Sequence, residues 1–310
     1  MRHPTATNQI GKVVSEAVVH SFQFALTGAL NDWITTYAEV LYDPEQSFGA
    51  GTITALGRNL LDLRKGIVVF GDLNKYPIYA AVGKMDAPFG EMGSVNPFTN
   101  STMWHAFAGL SYGAQVGFKT DAINAVFMAV QGGAQSGSLN TPVGDGTNVP
   151  SQVNNYVADV NYTTQINDDL NVKVGVSYME GSAYCHDFPV THFFPCKKSN
   201  PASTACGRVN FQDRLQVLAA YATTANEWPG TFNPTAPLNV FKASKVTSLE
   251  LGAKYKINDN YAVSGEFSNF VAGPDGAPWH RQNQIIVGVD RSVGGSSKLF
   301  LELFKVDGYV

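Results

Sequence analysis

The chain has 310 residues, a formal net charge of −4, 15% charged and 12% aromatic side chains, and 30 glycines. This low-charge, aromatic-rich and glycine-rich balance is unlike that of ordinary soluble enzymes, and with no Lys/Arg run it excludes a nucleic-acid partner, whose phosphates demand clustered cations. No run of ~18 consecutive apolar residues exists to form a transmembrane helix, so any membrane span must be built from strands.

Residues 1–17 contain no apolar core of the kind a secretory signal requires. They are expected to be an incomplete N-terminal segment ahead of one barrel domain over 18–310. From there, apolar and polar residues alternate repeatedly, with period two. Leu110 to Lys119 reads this way, as do Leu170 to Tyr178 and Ser248 to Ile257. A soluble sandwich would bury the apolar face under a second sheet. Here the strands run to about ten residues and the intervening face carries Lys, Glu, Gln and Asn along its length, which fits a transmembrane barrel with lipid outside and water inside.

The alternation places strands near 18–27, 33–42, 61–71, 77–86, 108–119, 122–132, 153–166, 170–181, 209–224, 245–257, 260–270, 283–293 and 297–306. Short connections rich in Asn, Asp and Gly, which tolerate the left-handed backbone of a tight hairpin, include 28–32, 71–75, 120–121, 167–169, 258–260 and 294–296. They alternate with longer segments near 43–60, 87–107, 133–152, 182–208 and 271–282, dense in Gly, Pro, Ser and Asn. In outer-membrane barrels the short turns face the periplasm and the long loops face outside. The turns at 167–169 and 258–260 therefore lie on one side and need an even number of crossings between them. A further strand is expected in or beside 226–244, where Pro229, Pro234 and Pro237 obscure the pattern. The expected fold is an all-β, antiparallel, up-and-down transmembrane β-barrel with about fourteen visible strands.

The first strand descends from outside and the last, 297–306, ascends. The parent barrel is accordingly expected to hold about sixteen strands, with the last one missing here. Tyr42, Phe118, Tyr162, Tyr178, Tyr255 and Tyr261 stand near strand ends, where an interfacial aromatic girdle sits.

Cys185, Cys196 and Cys206 fall in one polar loop and are disulfide candidates in an oxidising compartment, the pairing left open. Cys185, His186, His192 and Cys196 match no familiar zinc spacing, so no metal and no cofactor is expected. No nucleophile motif or phosphate-binding glycine loop is present, and the histidines show no local pairing with an acid or hydroxyl; the chain is not expected to be an enzyme.

The lumen is then the place for function. Inward positions by parity are Gln23, Glu39, Gln115, Lys119, Asn155, Asp159, Asn161, Asn171, Lys173, Glu250, Lys254, Glu266 and Asp290. The candidate pore lining among them is Glu39, Gln115, Lys119, Asp159, Asn161, Lys173, Glu250, Lys254, Glu266 and Asp290. Both signs are present, as suits a hydrated, weakly selective bore; Lys119, Lys173 and Lys254, with loop cations such as Lys197 and Lys198, could also attract an anionic solute. Lys84 has no side assigned, because both parities of 77–86 are apolar.

Leu30-Asn31-Asp32-Trp33-Ile34 through Leu41-Tyr42-Asp43-Pro44, and Phe70-Gly71-Asp72-Leu73 through Tyr79 to Met85-Asp86-Ala87-Pro88-Phe89-Gly90, resemble the LbtU-type siderophore porin family of gammaproteobacteria. The likeness covers residues 15–120 well and the rest loosely. The strand that ends Gly-Lys and runs into Pro-Phe-Gly also occurs in phosphate-selective porins, so it marks the class more than the family. The resemblance implies an outer-membrane barrel of about sixteen strands that admits a ferric, polycarboxylate-type siderophore without a plug domain. A plugged transporter of ~22 strands would need far more chain.

The expected function is therefore passive or facilitated uptake of a small solute, such as an anionic ferric siderophore, through the cell outer membrane. Selectivity would come from inward-folding loops and lumenal charge. Membrane lipid and lipopolysaccharide are the expected surroundings, and association into a homo-oligomer is left open. The alternatives are a general solute porin and a structural or adhesive surface barrel.

Overall fold

Alternating side chains send every second residue to the same face of a strand, and paired strands satisfy each other's backbone groups, as hydrocarbon requires. The computed structural model describes residues 22–42, 61–132, 152–181, 199–227, 244–271, 273–276, 280–294 and 297–308. Its strands are β1 Phe22–Asn31, β2 Ile34–Tyr42, β3 Leu61–Phe70, β4 Ile78–Asp86, β5 Leu110–Lys119, β6 Ile123–Gly132 and β7 Gln152–Asn167. They continue as β8 Leu170–Met179, β9 Ala202–Phe211, β10 Leu215–Thr224, β11 Thr247–Lys256, β12 Tyr261–Val271, β13 Arg281–Val293 and β14 Ser297–Gly308. One short helix, α1 Thr102–Phe107, lies between β4 and β5.

All fourteen strands form one sheet in sequence order, every neighbouring pair antiparallel. Odd-numbered strands pass to their successors through turns of a few residues, and even-numbered strands through longer segments, which gives the up-and-down barrel architecture two unlike ends. At the short-turn end, the hydrogen bond from Lys75, with the Asn74 amide, holds the Asp72 carboxyl below the usual carboxylate range.

The fourteenth strand lies elsewhere than the parity count suggested. Residues 209–224 are the end of β9 and the whole of β10, separated by a turn in which Gln212 and Asp213 take φ of 51° and 50°. That turn carries the left-handed backbone a tight hairpin needs without the Gly or Asn that would advertise it. Residues 202–208, read as loop, are strand: Ala202, Thr204, Cys206 and Arg208 face inward while Ser203, Ala205 and Gly207 face out, so no apolar row marks either face. Residues 228–243 lie outside the described residues. The first hairpin also sits later than expected, with Gly28 to Asn31 in β1 and the turn at Asp32 and Trp33.

The outer face is apolar and bare. Val174 and Val176 on β8 are 49% and 61% exposed, and Val287, Val289, Leu299, Leu301 and Leu303 are likewise uncovered. Phe118, Tyr162, Tyr255 and Tyr261 face outward toward the short-turn end, the end at which the Trp33 and Tyr76 rings lie 5.7 Å apart. Tyr42, Tyr112 and Tyr156 stand toward the other end. Lys84 takes the outer face there, its ammonium 6.0 Å from the centre of the exposed Tyr112 ring and bonded to the Leu63 carbonyl, as expected of a cation that reaches from the apolar belt to the interface.

A lysine in the middle of the apolar belt must shed its hydration. Val176→Lys is expected to cost ~2–4 kcal/mol of barrel stability, whereas Asn171→Lys on the inner face stays within ~0.5 kcal/mol. Urea midpoints followed by the gel shift between folded and heated protein check both.

Candidate pore and the segment that crosses it

Between β4 and β5 the chain leaves the wall and folds into the bore. Gly90, at φ 69°, turns it inward; a Cβ there would sit 2.7 Å from the Thr204 methyl, so the position demands glycine. The Gly90 amide donates to Ser177 on β8 at 2.8 Å. Farther along, Ser94 Oγ and the Val95 amide donate to Glu266 on β12 at 2.6 and 3.1 Å, and Ser264 donates to Asn96 at 2.8 Å. The Phe98 and Thr99 amides and the Thr99 hydroxyl all donate to Glu302 on β14. Ser101 Oγ donates to Glu250 on β11 at 2.6 Å, and the Thr102 amide to Ser268. One short segment touches β8, β11, β12 and β14, so the sheet curls around it.

Ser101 also caps α1, its hydroxyl accepting from the Trp104 amide at 3.2 Å, which satisfies a donor the first helical turn leaves open. The helix then places Met103, Ala106 and Phe107 against inward residues of the wall: Met85, Met128, Val130, Val157, Met179, Ala222 and Phe270, with Phe89 in the same buried cluster. Each large side chain buried this way stabilises the fold by ~1.5–3 kcal/mol. The level of the bore nearer the long connections is therefore packed with apolar groups, and the polar lining is concentrated toward the short turns.

There a cavity of about 720 Å³ is lined by Asp72, Tyr79, Lys119, Asn124, Asn161, Thr163 and Lys173, among others. A second, of about 570 Å³, is bounded by Gln165, Asn171, Asn210 and Asp213.

The inward positions read from the sequence take several distinct roles. Glu39 is buried, accepting from Tyr37 at 2.7 Å and from Arg64 at 2.9 Å; Arg64 is the extra residue where the β2–β3 register shifts. Gln115 lies on the inner face of β5, opposite Ala81 and Met128. Asp159 accepts from Ser177 and from Asn161. Lys254 pairs with Asp290, which also lies 3.6 Å from Lys298. Lys119 lines the cavity, and Lys173 binds Glu91 of the crossing segment at 2.8 Å. Glu250 and Glu266, 0% and 4% exposed, face the segment rather than open water.

Cys206 sits on β9 as a free thiol. The polar loop expected to hold all three cysteines thus ends before it. Cys185 and Cys196 lie outside the described residues.

Sequence reading missed Glu91, Arg208 and Glu302. Glu91 lay in a stretch assigned to an outer loop, and Arg208 in one assigned to a polar loop. Glu302 had a usable signal, since parity with Leu299, Leu301 and Leu303 puts it inside.

No protein-family model and no curated protein sequence matches the chain. Solved structures do resemble it. The outer membrane channel DcaP of Acinetobacter baumannii aligns with a TM-score of 0.54 at 10% identity, over 92% of this chain and 78% of that one. OprB of Pseudomonas putida aligns with a TM-score of 0.57 at 11% identity, over 92% and 82%. The anion-selective porin from Comamonas acidovorans aligns with a TM-score of 0.54 at 9% identity, over 93% and 79%. These likenesses establish the porin-type barrel fold.

Glu302 accepts three donors from residues 98 and 99, and hydrogen bonds to a charged acceptor contribute ~1.5–3 kcal/mol each. Glu302→Ala is expected to speed hydrogen exchange at the Phe98 and Thr99 amides by at least about tenfold, read by mass spectrometry on the detergent-solubilised barrel, with the β7–β8 ladder unchanged.

Proposed function

We propose that this chain is an outer-membrane porin that admits a small anionic solute by passive or facilitated diffusion, with no chemical step. The observation that carries the reading is the segment 87–107, which enters the bore and binds its far wall while leaving a polar cavity toward the short turns, where Lys119 and Lys173 stand among Asp32, Asp72 and Asp121. That cavity falls within the ~300–1,000 Å³ typical of small-molecule sites. The apolar belt sits among membrane lipid and lipopolysaccharide, and the short turns face the periplasm.

The finer proposal concerns the solute. The stretches 30–44 and 70–90 resemble the LbtU-type siderophore porins, and the lumenal Lys119 and Lys173 suit a solute with several carboxylates. A neighbour in fold is named an anion-selective porin, which supports the same direction of charge. We therefore assign a ferric, polycarboxylate-type siderophore as the solute. The pairing of Lys254 with Asp290 and of Lys173 with Glu91 favours, as a second reading, a general solute porin whose charges satisfy one another.

Reconstituted protein separates the readings. Liposomes carrying the chain are expected to swell faster in a ferric polycarboxylate siderophore than in a neutral sugar of equal mass, and planar bilayers to show discrete ion currents. Equal swelling rates would favour the general porin. Bilayers without current would overturn transport and leave a surface scaffold.

A further inference from the structure

Lys173 and Arg208 face each other directly across the β8–β9 ladder, both on the inner face. Two like charges in that relation repel and destabilise the pairing unless an anion lies between them. The anion here is Glu91, which comes from the crossing segment and not from the wall. Its Oε2 lies 2.8 Å from Lys173 Nζ, and its Oε1 lies 3.0 Å from Arg208 Nη2. One carboxylate thus spans two cations, as a carboxylate of a solute would.

The neighbouring acid on this wall, Asp159, is already engaged by Ser177 and Asn161. Water reaches the Glu91 site: the Lys173, Arg208 and Glu91 side chains are 34%, 22% and 20% exposed. Lys173 also lines the cavity of about 720 Å³, together with Lys119 and with Asp32, Asp72 and Asp121.

The two parts of the segment are held differently. Residues 94–102 bind buried Glu266 and Glu250, together with Glu302 and Ser268. Residues 90–91 are tied to β8 and β9 by the Gly90 amide and by the Glu91 ion pairs. The Glu91 ion pairs are part-buried, whereas Glu250 and Glu266 are fully enclosed, so the stretch at Gly90 and Glu91 is the part more open to a competing anion.

We propose that Lys173 and Arg208 form a carboxylate-binding station for the solute, occupied at rest by Glu91 as a built-in surrogate. A solute carboxylate displaces Glu91 and loosens the segment beside Gly90. This rests on the porin reading and adds to it a site, a ligand class and a coupling between occupancy and the segment.

Citrate is the probe, applied to the full chain in planar bilayers. Glu91→Gln is expected to lower the citrate concentration that half-blocks the current by about fivefold, the equivalent of ~1 kcal/mol. Adding Lys173→Gln to that variant is expected to abolish the gain. In the wild-type protein, citrate is expected to speed hydrogen exchange at the Gly90 amide while the Thr99 amide stays protected. An unchanged half-block in Glu91→Gln, or a gain that survives Lys173→Gln, overturns the proposal, as does Gly90 exchange that ignores citrate. The gel shift on heating establishes that each variant is folded. A folded wild-type chain that carries no current overturns the porin reading instead, so the two failures are told apart.

Discussion

A polypeptide in hydrocarbon cannot leave its amides and carbonyls unpaired, because no water is present to satisfy them. Everything else in this molecule follows from that constraint. Lateral pairing satisfies the backbone of β2 to β13 on both sides and that of β1 and β14 on one, and the period of two that pairing imposes sorts each side chain to lipid or to the bore. Val174 and Val176 are left to the membrane, and Lys173 and Ser177 are turned toward the interior.

The interior is then a second problem, solved with different chemistry. A wall curved around open space leaves many of its inward residues short of partners, and the segment between β4 and β5 supplies them. Its apolar half, with Phe89, Met103 and Phe107, gives inward methionines and valines a core. Its polar half meets wall carboxylates with backbone amides and small hydroxyls, so that Glu266 and Glu302 each accept from more than one donor. The same segment that narrows the bore also satisfies groups the wall alone would leave buried without partners.

How far this was legible in the sequence depends on which force wrote the signal. Where one face meets lipid and the other meets polar groups, as in β8 and β11, alternation is strong and both the strands and their inner residues could be read. Where the inner face packs against the apolar side chains of the crossing segment, alternation fades, as in β6, which turns Met128 and Val130 inward; β9 offers small residues on both faces. The Gln212-Asp213 turn is faint because Asp213 is its one turn-forming residue, set between Gln212 and Arg214 with no glycine or asparagine beside it. The role of Glu250 and Glu266 was half legible. Parity put them inside, but that they would anchor a loop, and not line open water, depends on contacts with residues some 150 positions or more away in the chain. Such long-range partners leave no local pattern.

The claim that supports all of this is that the two faces of each strand meet different solvents. Spin labels placed singly at Asn171, Val172, Lys173, Val174 and Val176 in the membrane-reconstituted protein, with Cys185, Cys196 and Cys206 replaced by serine, test it directly. The account predicts collision with oxygen at 172, 174 and 176 and with a water-soluble nickel chelate at 171 and 173. Uniform accessibility along β8, or the opposite alternation, would contradict it.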